Sequence, residues 1–353
     1  MDRVAKLPAS DRSDLFREVA ARRGNLTAAL VEKDFWVCWA LKHLFAMENV
    51  PAGIIFKGGT SLSKAFNAIN RFSEDVDLSL SRDDLGFGGD KDPRNAPSRK
   101  KSQQWIEALE AKCKQAIRDQ LLPALRNNFT VVLGEVGRDW LLAIDNQDAQ
   151  AVNFVYPRGL VVGGEAVPVY VQPRVRLELG ARSDQWPAGD QNVQSYAAEV
   201  FPNMFEQPVA IVRTLNAERT FWEKVMILHA EYHRSPSSQM KKRLSRHYYD
   251  VHCLAQGEIG RLALQKMKLL QDVIRHKMKF FECKWANYET AIAGTLHLVP
   301  PDDRYKELQW DYSAMSEMFF SEPPPFGRIL ETLRSLEERI NSSKREKLSR
   351  SIV

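Results

Sequence analysis

The pattern of apolar and polar residues predicts a helix, a strand and a second helix early in the chain. Apolar residues recur at helical spacing between Thr27 and Val50, and the Pro-Ala-Gly that follows ends this helix. The short apolar run Ile54–Phe56 predicts a buried strand. Two glycines then lead into TSLSKAFNAINRF, which predicts a helix capped by Thr60 or Ser61.

The next apolar run, DVDLSL, alternates in the way that is typical of a strand. Because successive side chains of a strand point to opposite faces, Asp75, Asp77 and Ser79 should share one face. The apolar residues between them should share the other face. Two carboxylates would therefore point the same way.

The remaining pattern predicts an α/β half followed by a helical half. Gly, Pro and charged residues between Asp83 and Lys101 predict a mobile loop, and helical spacing returns in QQWIEALEAKCKQAIRDQLLPALRNNF. Between Thr130 and Leu179, we expect strands in FTVVLGEV, AQAVNFVYP and VPVYVQPRVRLELGA. A Pro/Asp/Gly-rich segment, SDQWPAGDQN, follows. From about Asn216 onward the pattern is mostly helical, with loops at RSPSSQ and EPPPFG.

Composition indicates a globular cytoplasmic protein. The chain has 353 residues, enough for one large domain or two ordinary ones, and 44% of them are hydrophobic and 27% charged. No apolar run approaches the length of a membrane span, and the N-terminus lacks the apolar core of a signal peptide. The four cysteines are widely scattered, which argues against a zinc site or a disulfide framework.

The net charge of +5 permits a nucleic-acid partner without requiring one. Two local runs of cations, RKKSQQW and RSPSSQMKKRLSRH, are candidate RNA contacts, with a solvated helix face or loop as the alternative for each. Their candidate RNA-binding residues are Arg99, Lys100, Lys101, Lys241, Lys242, Arg243 and Arg246.

The candidate chemistry lies in the segment from Phe56 to Leu80. A strand that ends in Gly58-Gly59 and feeds a helix presents unpaired backbone N–H groups, which suit a phosphate. Asp75 and Asp77 offer hard oxygen ligands of the kind that suit magnesium carrying nucleotide phosphates. Competing phosphate motifs of the Gly-x-x-x-x-Gly-Lys-[Ser/Thr] and Gly-x-Gly-x-x-Gly types are missing from the sequence.

This pattern resembles the DNA polymerase beta-type nucleotidyltransferases and, more narrowly, the AbiE-type (AbiEii/MenT-like) toxin nucleotidyltransferases. The resemblance is carried by VEKDFWVCWAL, FKGGTSLSKAF, RFSEDVDLSL, RVRLELGAR, ERTFWEKVMIL and RHYYDVHCL. It implies an α/β (α+β) fold with a nucleotidyltransferase-type mixed sheet and flanking helices, followed by a mainly helical C-terminal region. We expect a nucleotidyltransferase domain over residues 1–205 and a helical domain over 206–353 that completes the active-site cleft.

The resemblance also implies roles for individual residues. Catalytic roles fall to Asp75, Asp77, Lys224 and Asp250. Nucleotide binding falls to Lys57, Gly58, Gly59, Thr60, Ser61, Lys64 and Ser79, and metal binding to Asp75, Asp77 and Glu178. The alternatives are a surface ion pair for Glu178, a structural ion pair for Lys224 with Asp250, and a filler role for Ser79. Core packing is the default for Trp222, Tyr248 and Tyr249, and surface or packing roles for His229 and His233.

The implied activity is transfer of a nucleoside monophosphate from an NTP, with Mg²⁺ or Mn²⁺, to an RNA acceptor. The resemblance points to the tRNA 3′ end as the acceptor, to a toxin of a type IV-like toxin–antitoxin system used in phage defence, and to a cognate antitoxin encoded nearby. Two alternatives remain open on the same residues. One is a protein adenylyltransferase, and the other is a module that binds NTP or RNA without catalysis.

Overall fold

The protein forms two compact units. The computed structural model describes residues 1–48, 50–160 and 172–350, with side chains as far as residue 342. The first unit contains Met1–Asn67 and Phe72–Leu215, and the second contains Ala68–Arg71 and the chain from Asn216 onward. The predicted boundary after residue 205 comes earlier in the chain than the boundary after Leu215, because the strand that ends at Leu215 belongs to the sheet of the first unit.

A seven-stranded mixed sheet organises the first unit. Its strands are β1 Ile54–Lys57, β2 Asp75–Leu80, β3 Leu141–Ile144, β4 Ala151–Val155, β5 Val175–Gly180, β6 Ala188–Gln194 and β7 Val209–Leu215. The order across the sheet is β3-β4-β5-β2-β1-β7-β6. β2 runs parallel to β5 and antiparallel to β1, and β1 runs parallel to β7. The predicted mixed sheet is therefore confirmed.

Helices flank this sheet. Those of the first unit are α1 Asp2–Ala5, α2 Ala9–Arg23, α3 Ala28–Phe45, α4 Gly58–Lys64, α5 Arg99–Ala116, α6 Leu122–Leu133 and α7 Tyr196–Val200. The hydroxyl of Thr27 accepts from the N–H of Leu30 and caps α3, in agreement with the predicted start of that helix. A π-helical turn, Ile117–Leu121, joins α5 to α6.

The core of the first unit lies between α3 and one face of the sheet. Trp36 and Trp39 of α3 pack against Phe154 of β4, with ring centroids 5.8 and 5.7 Å apart. Tyr156 stacks on Trp36, and Phe129 of α6 completes the aromatic cluster at 4.6 Å from Trp39. Rings of this size bury large apolar areas, so α3 is fixed firmly against the sheet.

The second unit is helical, as expected for the C-terminal region. Its helices are α8 Ala217–Tyr232, α9 Ser245–Gln256, α10 Glu258–Gln265, α11 Met267–Phe280, α12 Tyr305–Ser313 and α13 Phe326–Arg350. Trp222, Tyr248 and Tyr249 are buried, which confirms the core-packing interpretation for these three aromatic residues. Within the described part of the chain, no helix combines the length and apolar character needed to cross a bilayer.

Two local predictions on helices and strands were wrong. The helix after the glycines begins at Gly58 and ends at Lys64, because Asn67 takes a left-handed conformation with φ 48° that an α-helix excludes. Residues 129–133, predicted as a strand on their β-branched composition, are the last turn of α6. The first part of VPVYVQPRVRLELGA, residues 167–171, lies outside the described residues, and its last part forms β5.

The structure also contains elements that the sequence pattern did not predict. β6 is a polar edge strand that begins inside the Pro/Asp/Gly-rich segment and continues past its end, and β7 was not predicted. The segment from Asp83 to Lys101, expected to be a loop, contains two short 3₁₀ turns and the start of α5. The side chain of Asp92 caps the second turn by accepting from the N–H of Arg94.

Candidate active site

Three carboxylates lie on one face of the sheet. Asp75 and Asp77 are half-buried on β2, and the residues between and after them, Val76 and Leu78, are buried on the opposite face. Glu178 of β5 stands directly opposite Asp77 in the parallel register. Cross-strand neighbours share a face. We call the face that carries Asp75, Asp77 and Glu178 the acid face.

The acids are close enough to influence one another. Burial raises the pKa of Glu178, and the negative charges of Asp77 and Asp75 raise it further. Arg176 opposes this shift, since its Nε donates to Glu178 Oε1 at 2.9 Å. The same guanidinium donates to Asp145 at 2.8 Å. The alternative of an ion pair for Glu178 is therefore observed, alongside its proximity to both aspartates.

The acid face fits a divalent cation that also carries phosphates. Among the described residues, no group of three or more His, Cys, Asp or Glu side chains is arranged to hold a metal ion by itself. Magnesium in nucleotide enzymes is commonly held by one or two carboxylates, with substrate phosphates and water as its other ligands. Asp75 and Asp77 match this donor set, and Glu178, already engaged by Arg176, is placed to join them from the next strand.

Gly58 lies directly against the Asp77 carboxylate. Its φ is +80°, and a Cβ at this position would overlap the carboxylate oxygen of Asp77. Glycine is required here both for the left-handed backbone and for the close approach. The glycine turn and the second aspartate, which the sequence only suggested were neighbours, are thus in contact.

Replacing Gly58 with alanine should displace the Asp77 side chain and strain the backbone. We expect a loss of stability on the order of 1–3 kcal/mol, with loss of any function that depends on Asp77. The matched control is Gly24→Ala, because Gly24 has φ +69° and open space around its Cα. Thermal unfolding of both variants separates the backbone cost, which they share, from the clash, which only Gly58→Ala has. Equal unfolding temperatures would contradict the close packing against Asp77.

The hydroxyls of Thr60 and Ser61 serve the backbone instead of capping α4. Thr60 is buried and donates toward the carbonyls of Ser73 and Asp75, which ties α4 to the start of β2. Ser61 donates to the carbonyl of Gly58 at 2.9 Å. The predicted side-chain cap is wrong, because α4 begins at Gly58 and no side chain of the described residues accepts from the N–H groups of its first turn. The two residues fix the turn, and Lys57 and Gly59 sit half-buried on either side of Gly58.

Two further residues predicted to bind nucleotide are buried in other interactions. Lys64 forms a buried ion pair with Asp34 at 2.7 Å and lies over the Tyr196 ring. Burial alone would lower the pKa of Lys64, but Asp34 holds it above its usual range. Ser79 is fully buried and donates to the carbonyl of Ser183 at 3.2 Å. Both residues act in packing, so phosphate contact by them is not supported.

Three consecutive charged residues in the middle of α3 are buried, and sequence reasoning gave them no role. Glu32 accepts from the N–H of Gly159, Lys33 pairs with Glu74 at 2.9 Å, and Asp34 pairs with Lys64. Lys33 thereby anchors the residue before Asp75, and Asp34 anchors the end of α4. The sequence signal for these buried charges is a run of three charged residues inside an apolar helical pattern.

A second charged cluster lies inside the second unit. Asp250 of α9 accepts from Arg71 Nε at 2.7 Å and from Arg71 Nη2 at 2.8 Å. Its Oδ2 also lies 2.7 Å from Lys224 Nζ of α8. The predicted proximity of Lys224 to Asp250 is thus observed, and Arg71, which sequence reasoning missed, is the third member. Arg71 stands in the motif RFSEDVDLSL, and this was the sequence signal for a role. Nothing in the sequence identifies its partner Asp250, which lies 179 positions away.

This cluster carries more positive than negative charge. Burial alone would raise the pKa of Asp250, but Arg71 and Lys224 hold it well below its usual range. Burial lowers the pKa of Lys224, and Arg71 lowers it further while Asp250 opposes both. Burial and the neighbouring cations Lys224 and Arg246 keep the pKa of His247 well below its usual range. The cluster therefore places one buried carboxylate between two buried cations.

His229 packs inside the second unit, as expected for a histidine without a metal-binding context. Its Nδ1 accepts from the N–H of His297, so Nε2 carries the proton and donates to the carbonyl of Asn287 at 3.1 Å. Burial lowers its pKa to about 4. Both ring nitrogens are used, so the possible metal pair of His229 with His233 is not formed.

Acid should therefore destabilise the protein through His229. In the unfolded chain His229 has its ordinary pKa of 6.5, so at acid pH the unfolded state binds a proton that the folded state does not. The contribution of His229 to stability is therefore complete above about pH 6.5 and is lost as the pH falls toward 4. We expect a loss on the order of 1 kcal/mol per pH unit in this window, reduced in His229→Gln. Unfolding midpoints measured between pH 4.5 and 7.5 check this. Parallel curves for the two proteins would contradict it.

The basic runs remain at the surface. Arg99, Lys100 and Lys101 are exposed in the first turn of α5, where cations oppose the helix dipole. In the second run, Lys241 and Lys242 are exposed, whereas Arg243 and Arg246 are partly buried. Arg234, at the start of this run, is paired with Glu231. RNA contact by the exposed cations stays a prediction.

Comparisons with curated proteins and with solved structures give only distant likenesses. A search of curated proteins found no match. Among solved structures, MenT4, a nucleotidyltransferase toxin from Mycobacterium tuberculosis, is similar at 12% identity with a TM-score of 0.35, covering 86% of this chain and 98% of its own. JHP933 from Helicobacter pylori is similar at 12% identity with a TM-score of 0.38, covering 91% and 97%. These scores give no guide to individual residues.

The family profile described as nucleotidyl transferase AbiEii toxin, type IV toxin–antitoxin system, matches residues 39–336. This range includes the glycine turn, the acid face and both partners of the Lys224–Asp250 pair. The chain therefore belongs to the AbiEii family of nucleotidyltransferase toxins of type IV toxin–antitoxin systems.

Proposed function

We propose that this protein is a metal-dependent nucleotidyltransferase of the EC 2.7.7 type that transfers NMP from an NTP to the 3′ end of an RNA, most directly tRNA. The added nucleotide would block translation. The observation that carries the proposal is the contact of Gly58 with Asp77, because it places the glycine turn beside one of the two aspartates. Membership in a nucleotidyltransferase toxin family supports the same reaction class.

The acid face would hold the metal and the reacting phosphate. A divalent cation, Mg²⁺ or Mn²⁺, bound by Asp75 and Asp77 with support from Glu178, would supply positive charge for the triphosphate. Gly58 leaves room for the Asp77 carboxylate beside the turn, and the backbone of the turn would hold the triphosphate. Thr60 keeps the turn in register with Asp75. An acceptor hydroxyl would then attack the α-phosphorus, and pyrophosphate would leave.

The second unit would contribute Lys224. Asp250 uses one of the three N–H donors of this ammonium, which leaves the others for a phosphate oxygen. Arg71 holds Asp250 with two parallel hydrogen bonds, so Lys224 is held by a carboxylate that cannot rotate freely. We propose that Lys224, held in this way, binds a phosphate oxygen of the nucleotide.

The biological setting follows the family. A toxin of a toxin–antitoxin family implies an antitoxin partner, and we propose that it is encoded beside this chain and that both proteins act in the cytoplasm. Release of the toxin activity would then depend on loss of the antitoxin.

The test is label transfer from the four NTPs. Purified protein is incubated with each labelled NTP and Mg²⁺, once with total tRNA and once with total cell protein. Label at the tRNA 3′ end supports the proposal. Label in protein would instead indicate a protein adenylyltransferase, and no label with any NTP would indicate a module that only binds.

A further inference from the structure

A single buried lysine joins the two strands that carry the acids. Lys33 lies in the middle of α3, and only 2% of it is exposed. Its ammonium donates to Glu74 Oε2 at 2.9 Å and to the backbone carbonyl of Gln172 at 2.9 Å. Glu74 directly precedes β2, and Gln172 lies shortly before β5 begins at Val175. One side chain therefore fastens the entrances of both strands.

The relative position of these two strands decides how the acids meet. Asp75 and Asp77 lie on β2, and Glu178 of β5 stands opposite Asp77 in the parallel register. A slip of one residue between paired strands turns every side chain of the moving strand to the other face. Such a slip would separate Glu178 from both aspartates. Because Lys33 is bound at the start of each strand, it opposes movement of one strand along the other.

Lys33 reaches the strands from the side of the sheet that faces away from the acids. Val76 of β2 and Leu177 of β5 stand opposite each other on that side. Phe154 of β4 points the same way and packs against Trp36 of α3, with ring centroids 5.8 Å apart. Lys33 is therefore buried beneath the acid face, and its effect on a metal bound there passes through the strands.

The segment before β2 is held from a second side as well. Thr60 of α4 donates toward the backbone carbonyls of Ser73 and Asp75. Lys33 binds the side chain of the residue between them, Glu74. Burial lowers the pKa of Lys33, while the negative charges of Glu74 and Asp75 oppose this shift, so the ammonium also lies near Asp75. The backbone and the side chain of this segment are thus both fixed, and Asp75 follows it from a defined position.

We propose that Lys33 is a positioning residue, which holds β2 and β5 in the placement that brings the acids together and thereby sets the affinity of the acid face for a metal. This inference rests on the proposed function for the presence of the metal. Groups that orient metal ligands from behind typically change metal affinity about 10–100-fold when they are removed. A buried ion pair is weak evidence for stability, since apolar residues of similar volume are often as stabilising. A positional role accounts for a directed, hydrogen-bonded pair at this point.

The first measurement is hydrogen–deuterium exchange of the full chain without metal. Lys33→Met/Glu74→Gln removes both partners, so neither is left as an unpaired buried charge. We expect exchange in the first residues of β2 and β5 to become about tenfold faster or more, because local opening no longer has to break this tether.

Arg12→Met is the matched control. Arg12 is a buried cation of the same unit, with 6% of it exposed. Its guanidinium donates to backbone carbonyls that lie before α2 and after β4, among them those of Leu7 and Pro157. Its loss should therefore lower stability and leave exchange at the start of β2 and β5 unchanged.

The second measurement is the affinity for Mn²⁺ alone, followed through the EPR signal of the free ion at a temperature where every variant is folded. We expect the dissociation constant to rise about tenfold in Lys33→Met and in Lys33→Met/Glu74→Gln. Lys33→Arg keeps the charge and the donors, so its affinity should lie nearer to that of the wild type. Arg12→Met should bind Mn²⁺ within about twofold of the wild type, because distant sites act independently.

The outcomes separate this inference from the proposed function. Unchanged exchange in β2 and β5, or equal changes in the Lys33 and Arg12 variants, would overturn the inference. Wild-type Mn²⁺ affinity in the double variant would overturn it as well, because any loss in Lys33→Met would then come from the unpaired charge of Glu74. If Asp77→Asn binds Mn²⁺ as the wild type does, the proposed metal site fails. Faster exchange confined to the Lys33 variants would then leave the positioning of the strands standing without the proposed reaction.

Discussion

Replacing Asp77 with asparagine should reduce nucleotidyl transfer on the order of a thousandfold or more. The amide keeps the shape of the side chain but removes the negative charge that a phosphate-bound cation requires. Because Asp77 is half-buried beside Gly58, the fold should tolerate the substitution. The measurement is the initial rate of label transfer from NTP to tRNA at saturating concentrations of both. Asp75→Asn should behave in the same way.

Asp190→Asn is the matched control for this prediction. Asp190 also lies on a strand of the sheet, but it is exposed and pairs with Arg213 at 3.2 Å. Surface pairs of this kind contribute about 1 kcal/mol or less, so activity and stability should stay near those of the wild type. An Asp77→Asn protein that folds and retains the wild-type rate would remove the acid face from the mechanism.

The largest effect on stability is expected for Asp250→Asn. This change leaves Arg71 and Lys224 buried beside a neutral amide, with no formal negative charge at the point they share. Loss of one partner from a buried ion pair typically costs about 3–5 kcal/mol. For a unit of this size we expect the unfolding midpoint to fall by roughly 10 °C, measured by thermal unfolding at pH 7.5.

A surface carboxylate in the same unit provides the comparison. Asp272 pairs with Arg275 one helical turn away on α11, and its loss should shift the midpoint by a degree or two at most. Arg71→Lys keeps the charge but loses the two parallel hydrogen bonds, so its shift in the unfolding midpoint should lie between those of Asp250→Asn and Asp272→Asn. Asp250→Asn that unfolds at the temperature of Asp272→Asn would contradict the buried cluster.

The sequence predicted the elements of the acid face well because their signals are local. Alternation in DVDLSL placed Asp75 and Asp77 on one face, and the strand before Gly58 was equally clear. Glu178 could be placed on the matching face of its own strand, although its register with Asp77 depends on the pairing of β2 with β5. The motif order carried the family assignment, which the profile match confirms.

The features that the sequence did not predict depend on contacts between distant parts of the chain. The partner of Arg71 lies on α9, and the partner of Lys64 lies on α3, so a local pattern could not separate these buried structural cations from phosphate ligands. β6 was missed because an edge strand with few apolar residues resembles a loop. The last turn of α6 was mistaken for a strand because its β-branched residues favour that state in isolation.

The central claim is that the aspartates of the acid face hold a metal-bound nucleotide. A crystal structure with Mn²⁺ and a non-hydrolysable NTP analogue tests this most directly, because manganese is located by its anomalous signal. We predict manganese coordinated by the carboxylates of Asp75 and Asp77, with the triphosphate against Gly58. A nucleotide bound elsewhere, or manganese that touches neither aspartate, would contradict the account.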